Sequence, residues 1–336
     1  MSKPTRNVFV DAVRLFLAYG VAAIHLAPNT PAAESVGQSF LLFAVPFFLT
    51  AGLYFFIGKT LGGPAVPTVR AMHFERLWLP YLAWTAIYVA LHLGKDLLTH
   101  RRLDLNVLAT VFYGGAAVHL YFLPLLLVFQ CWALAAAWLW REPARRGAWA
   151  GALLLASGLF AYVGMARGYL GFEHVFVRGA LYVGGAFLLW SWRERTAVRT
   201  VNSLLAAGVA IGLLAAVWRG TVPTGVHYAF GPLAGYAAAS LALAGWVRMT
   251  AGGWGAFLLG CSYGIYLAHF ALVEAFEFAA ARGGWQIKPY DVPEKLLVAL
   301  AVCAGCVVFI ALVRRNGALR AALLGEPRLE VGKAAR

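Results

Sequence analysis

Residues 36–58 read VGQSFLLFAVPFFLTAGLYFFIG, without a single Asp, Glu, Lys or Arg. As a helix rising 1.5 Å per residue, this stretch is about 35 Å long, enough to cross a hydrocarbon core of about 30 Å. The pattern recurs along the chain. Apolar runs separated by short basic loops place spans at about 8–27, 36–58, 77–93, 119–140, 147–166, 174–192, 199–218, 226–247, 254–281 and 293–313. The expected fold is all-α, a polytopic membrane bundle of about ten transmembrane helices. Segment 107–118 is apolar but too short to cross alone, and reads as a re-entrant or interfacial piece.

Composition agrees. Of 336 residues, 62% are hydrophobic and 12% charged, and the mean hydropathy is +0.73. A soluble domain of this length cannot bury so much apolar surface, whereas a bilayer serves as its solvent. No linker or composition shift divides the chain, so residues 1–336 are expected to form a single integral membrane domain with a short basic cytoplasmic tail at about 314–336. The net charge of +14 is spread over helix ends rather than gathered in one patch, which argues against a nucleic-acid partner. With the N-terminus inside, the inner segments hold eighteen of the 28 Lys and Arg and the outer segments eight. That bias puts both termini in the cytoplasm.

Cys131, Cys261, Cys303 and Cys306 all lie in apolar runs. Cys303 and Cys306 have CxxC spacing but no second ligand pair, so helix packing explains them. Gly231/Gly235 and Gly260/Gly264 suit close helix contact, and Pro46, Pro80 and Pro124 should kink or start helices.

Ionisable residues within spans are costly and are functional candidates by default. Asp11 and Arg14 are three positions apart on span one and can pair. His25 follows Arg14 by eleven positions, close to three turns, so both share a face about 16 Å apart along the axis. The expected topology also sets His119, His174 and His227 near the outer ends of their spans, with Glu173 and Arg178 beside them. His269 falls near the middle of span nine, with Glu274 and Glu277 further out. Every histidine except His73 then lies in the outer half, while Arg14 and Arg76 mark the inner mouth. Inner arginines suit the anionic part of a cytoplasmic ligand, and an outer histidine suits general-base work on a hydroxyl. Coenzyme A, with phosphates at one end and a thioester at the other, has the matching shape. A polar-solute transporter using the same cavity is the alternative; the lack of an inverted repeat counts against it. The histidines lie on different spans with no HExxH-like spacing, so no metal site is expected.

Five segments resemble the integral membrane acyltransferase-three family. NVFVDAVRLFLAYGVAAIHLAP (7–28) is similar to its opening signature of Asp11, Arg14 and His25. VPFFLTAGLYFF (45–56) resembles its second-span motif, with Thr50 where serine is common, and FERLWLPYLAWTAIY (74–88) its basic-then-Pro-Tyr start of span three. HLYFLPLLLVFQ (119–130) resembles its His-Leu-Trp-Phe-Leu segment with Tyr121 in the tryptophan place, and SYGIYLAHFALVE (262–274) its penultimate span.

The resemblance implies a membrane acyltransferase that takes an acyl group, usually the acetyl of acetyl-CoA, to a hydroxyl of a carbohydrate or lipid-linked acceptor. The setting implied is the cytoplasmic membrane of a bacterium, with membrane lipids around the bundle. Carried over by position, His25 is the catalytic histidine. Arg14 helps place the acyl donor, with Asp11 beside it. Arg76 matches the second arginine of a paired motif whose first position is His73 here. His119, Tyr266 and His269 match motif positions, and with Glu277 are expected to line the acceptor site. Glu274 or Glu277 by depth, or Glu34 by proximity in sequence, would orient His25, and Tyr121 or Tyr266 would donate to the developing oxyanion. Direct transfer and an acyl-histidine intermediate are both open.

Overall fold

A computed structural model of the chain describes residues 7–62, 74–99, 115–145, 174–220, 227–285 and 288–327, apart from position 248, with short stretches between 148 and 155. Eleven α-helices lie among the described residues: α1 (Val8–Ile24), α2 (Pro31–Leu61), α3 (Phe74–Thr99), α4 (Phe122–Arg141), α5 (His174–Trp192), α6 (Thr196–Trp218), α7 (His227–Leu243), α8 (Gly253–Leu259), α9 (Ser262–Arg282), α10 (Val292–Val313) and α11 (Gly317–Leu324). Six of them are long and apolar enough to cross a bilayer. The protein is an all-helical integral membrane protein. The segments expected as a span at 147–166 and a re-entrant piece at 107–118 lie largely outside the described residues.

The helices start where local chemistry directs. Asn7 accepts a hydrogen bond from the Val10 N–H at 3.2 Å, and Thr30 caps α2 ahead of Pro31. Asp291 and Glu294 form a reciprocal capping box at α10, with Pro293 in its first turn. Pro46, Pro80 and Pro232 sit inside α2, α3 and α7, and Pro124 stands in the first turn of α4. The single span expected at 254–281 is two helices, because the chain breaks at Gly260 and Cys261 before restarting as α9.

The outer surface confirms what surrounds the bundle. Ala299, Val302, Cys303, Cys306 and Ile310 face the core along α10, while Leu297, Leu300, Val308 and Leu312 are exposed on its other side. A helix apolar all round belongs in lipid. Leu204, Leu205 and Ile211 give α6 the same exposed apolar face.

Long α2 forms the centre, packing against α1, α4, α5 and α7. The approach of α7 is close: a Cβ at Gly235 would stand 2.4 Å from the Pro46 carbonyl oxygen. Gly264 is likewise pressed on Ile310 of α10. These contacts need glycine at two of the four positions the spacing singled out.

Part of the basic segment expected at 314–336 is helical among the described residues. After α10, α11 turns back and docks on α3, where the Trp84 indole N–H donates to the Leu323 carbonyl at 2.9 Å. Gly325 ends α11 at φ +61, with its α-carbon face against the Arg76 backbone. Arg314 and Glu326 pair at 2.6 Å across the turn.

Candidate active site

Alternating helix directions give the bundle two ends: a near end, where α1 starts and α10 runs into α11, and a far end, where α1 leads into α2. Three imidazoles from distant parts of the chain meet toward the far end. His25 directly follows α1, its backbone N–H donating to the Ala22 carbonyl at 3.3 Å while the Leu26 N–H donates to that of Ala23 at 3.3 Å. His119 stands in the turn before α4, and His269 in α9. Ring centroids are 5.2 Å apart for His25 and His269, 6.1 Å for His25 and His119, and 4.7 Å for His119 and His269. Phe270 packs edge-on against His25 at 5.1 Å, and Tyr266 against His119 at 5.4 Å.

The three rings differ in what they can do. His269 is fully buried, and its Nδ1 lies 2.7 Å from the Tyr266 carbonyl oxygen. A carbonyl only accepts, so the hydrogen-bond pattern assigns the proton to Nδ1 and leaves Nε2 as a bare acceptor. That Nε2 is buried without a partner among the described residues, as are both ring nitrogens of His119. Each such orphan costs about 1–3 kcal/mol, which polar groups of a bound ligand would recover. His25 is only half-buried. Of the three, it is the least buried.

Other sequence-expected residues fall around this centre. Tyr266 is buried and its hydroxyl donates to the His119 carbonyl, tying α9 to the turn before α4. Tyr121 is partly exposed just ahead of α4. Glu274 sits higher on α9 and pairs with Lys95 at 3.6 Å. Glu277 pairs with Lys288 at 2.7 Å and accepts from the Tyr290 hydroxyl at 3.4 Å. Burial and the Glu277 carboxylate push that hydroxyl up to about 12. These two carboxylates therefore brace the far-end connections, and Glu34 is exposed in the first turn of α2.

At the near end, Arg14 pairs with Asp11 at 3.4 Å and lies over the Phe55 ring at 5.0 Å. Between Arg14 and His25 the same face of α1 carries Ala18 and Val21, both buried. Arg76 opens α3 with its side chain exposed, its carbonyl accepting from the Tyr263 hydroxyl at 3.3 Å. His73 lies outside the described residues, as does Glu173. His174 and His227 begin α5 and α7.

Two residues that sequence reading missed complete the construction. Lys295 is buried in the first turn of α10, and its Nζ donates to the Leu26 carbonyl at 2.5 Å, one residue beyond His25. The Tyr290 N–H donates to Ala27 O at 2.8 Å, and the Asn29 N–H to Tyr290 O at 2.9 Å, so the segment after His25 is clamped to the start of α10. Tyr88 is the second. Its hydroxyl donates to Leu267 O at 3.0 Å and accepts from the Ala271 N–H at 3.1 Å. Those two groups are an i, i+4 pair, so the hydroxyl is inserted into the α9 ladder at the turn carrying His269. The only signal for Lys295 was a lysine two places inside an apolar run. Tyr88 closes the 74–88 motif, where nothing in the sequence marks its hydroxyl.

The family model described as an acyltransferase domain matches residues 7–315, almost the whole chain. The chain belongs to the acyltransferase-three family. It is a membrane acyltransferase. No curated protein and no solved structure matches this acyltransferase. Among the described residues of the acyltransferase, no group of three or more His, Cys, Asp or Glu is arranged to hold a metal ion.

Proposed function

We propose that the protein moves an acyl group, the acetyl of acetyl-CoA in the first instance, onto a hydroxyl of a carbohydrate or lipid-linked acceptor. In this reading the near end is cytoplasmic and faces the donor pool, and the far end meets the acceptor at the outer half of a bacterial cytoplasmic membrane. His25 takes the proton as the acceptor oxygen attacks the thioester carbonyl carbon. The carbon–sulfur bond breaks, and the imidazolium returns its proton to the departing thiolate. The acceptor–ester bond forms as the thioester is lost, so atoms and charge balance.

One observation carries the reading: a half-buried His25 beside two sealed imidazoles with unsatisfied ring nitrogens. His119 and His269 then serve as hydrogen-bond partners for acceptor hydroxyls or the thioester oxygen rather than as bases. Arg14 shares its helix face with His25 about 16 Å away, so it suits the anionic part of an extended donor. Glu274 and Glu277 have other partners, which leaves His25 oriented chiefly by its ring neighbours and by the clamp after α1.

The test uses purified protein, radiolabelled acetyl-CoA and a panel of carbohydrate acceptors. Transfer should be lost in His25→Ala, with acetyl-CoA binding and the unfolding temperature retained. Transfer at the unsubstituted rate in that variant would remove His25 from the chemistry.

A further inference from the structure

The near end holds a second polar site, apart from the three histidines. A cavity of about 260 Å³ opens between the start of α1, the lower part of α2, the α5–α6 turn and the end of α7. Asn7, Tyr54, Arg193, Arg199, Asn202 and Ser240 supply its polar lining. A water molecule takes about 30 Å³ of liquid, so the space suits an ion of several heavy atoms.

Arg199 is the centre of this site. Its Nη1 donates to the Arg193 carbonyl at 3.0 Å, which fixes the guanidinium, while its Nε is buried without a partner. Arg193 is held by the Trp190 carbonyl at 2.8 Å and lies 4.0 Å over the Trp190 ring. The carboxylate paired with Arg193 belongs to Glu194, at 2.8 Å, and it is mostly exposed. The Asn202 amide donates to Ser240 Oγ at 2.6 Å and accepts from the Tyr236 hydroxyl at 2.5 Å. Those bonds set the inner wall. The result is two pre-positioned guanidiniums, offset by one exposed carboxylate, around a space that hydroxyl and amide groups also line.

We infer that this pocket seats a phosphate or diphosphate group presented at the near end of the bundle. Guanidinium groups pair with phosphate oxygens through short, charge-assisted, often bidentate bonds, and Arg193 and Arg199 both line the cavity that would hold one. Asn7 is eighteen residues from His25, about 27 Å along α1, so a ligand held here is either separate from the reacting groups or long enough to reach them. Two sources offer this chemistry: the phosphates of a long acyl donor, which rests on the function proposed above, or the headgroup of an anionic lipid.

The experiment titrates the full chain in phosphatidylcholine nanodiscs with inorganic pyrophosphate. Binding should weaken by about tenfold or more in Arg199→Gln, the scale expected for losing a bond to a charged group, with partial recovery in Arg199→Lys. Arg193→Gln should weaken it as well and guards against a folding defect in the first variant. His25→Ala should bind pyrophosphate normally. Competition by acetyl-CoA then assigns the phosphate to the donor. Weaker pyrophosphate binding on adding phosphatidylglycerol assigns it to lipid. No pyrophosphate binding by the unsubstituted protein, or equal binding in both arginine variants, would overturn the site. Loss of transfer chemistry with Arg199-dependent pyrophosphate binding intact would count against the proposed function alone.

Discussion

Tyr88→Phe isolates one hydroxyl beside the histidine centre. The ring is kept, and with it the edge contact to His119 at 5.3 Å and the packing on Trp84 and Phe270. What disappears is the bridge between Leu267 O and the Ala271 N–H. If α9 stays open, two buried backbone groups lose their partner at about 1–3 kcal/mol each, so the variant loses about 2–6 kcal/mol. If α9 closes instead, those two groups bond each other and most of that cost vanishes. Closure draws in the turn carrying His269 and Phe270, two of the rings that pack on His25. Either stability or chemistry must therefore suffer. The assays are unfolding in detergent and acetyl transfer at saturating donor. The expected outcome is a clear fall in unfolding temperature, or a transfer rate about tenfold lower, equivalent to about 1.4 kcal/mol in the barrier. A variant unchanged in both would refute the claim that this hydroxyl holds α9 in its working shape.

Lys295→Met keeps most of the buried stem but removes the donor to Leu26 O, so the clamp after His25 should slacken and transfer should fall with donor binding intact, measured as kcat against KM. The accompanying loss of stability should be about 1–3 kcal/mol from the stranded carbonyl. Gly325→Ala places a Cβ at φ +61 and within 2.4 Å of the Arg76 carbonyl oxygen. It should cost at least about 1–2 kcal/mol for the backbone conformation alone and release α11 from α3. Limited proteolysis should then cut after Arg320 well before the rest of the chain, whereas the unsubstituted protein resists there.

The architecture was legible because lipid solvation leaves a plain mark: residues 36–58 and 293–313 must be helices whatever packs on them. The breaks were harder. Gly260 and Cys261 interrupt 254–281 without proline, because tertiary packing around Gly264 and Arg314 fixes where α9 restarts. The fold of α11 was hidden behind its charges, since Arg314 and Arg320 read as a tail until Leu324 is seen buried and Gly325 set against the Arg76 backbone of α3. At the candidate site, the shared face of Arg14 and His25 followed from helical period alone. The meeting of His25 with His119 and His269 depends on contacts across 94 and 244 residues of sequence, which periodicity does not encode. Depth along a helix was also a poor guide to partners. Glu274 and Glu277 sit near the far end as expected, yet their charges are taken by Lys95 of α3 and by Lys288 of the connection ahead of α10.

The most direct measurement is a cryo-electron microscopy structure of the protein with a non-hydrolysable acetyl-CoA analogue. The account expects the thioester end within hydrogen-bonding reach of the His25 ring and the phosphates at the end of the bundle where α1 begins. Density with the phosphates beside the three histidines, or with the thioester end remote from His25, would contradict it.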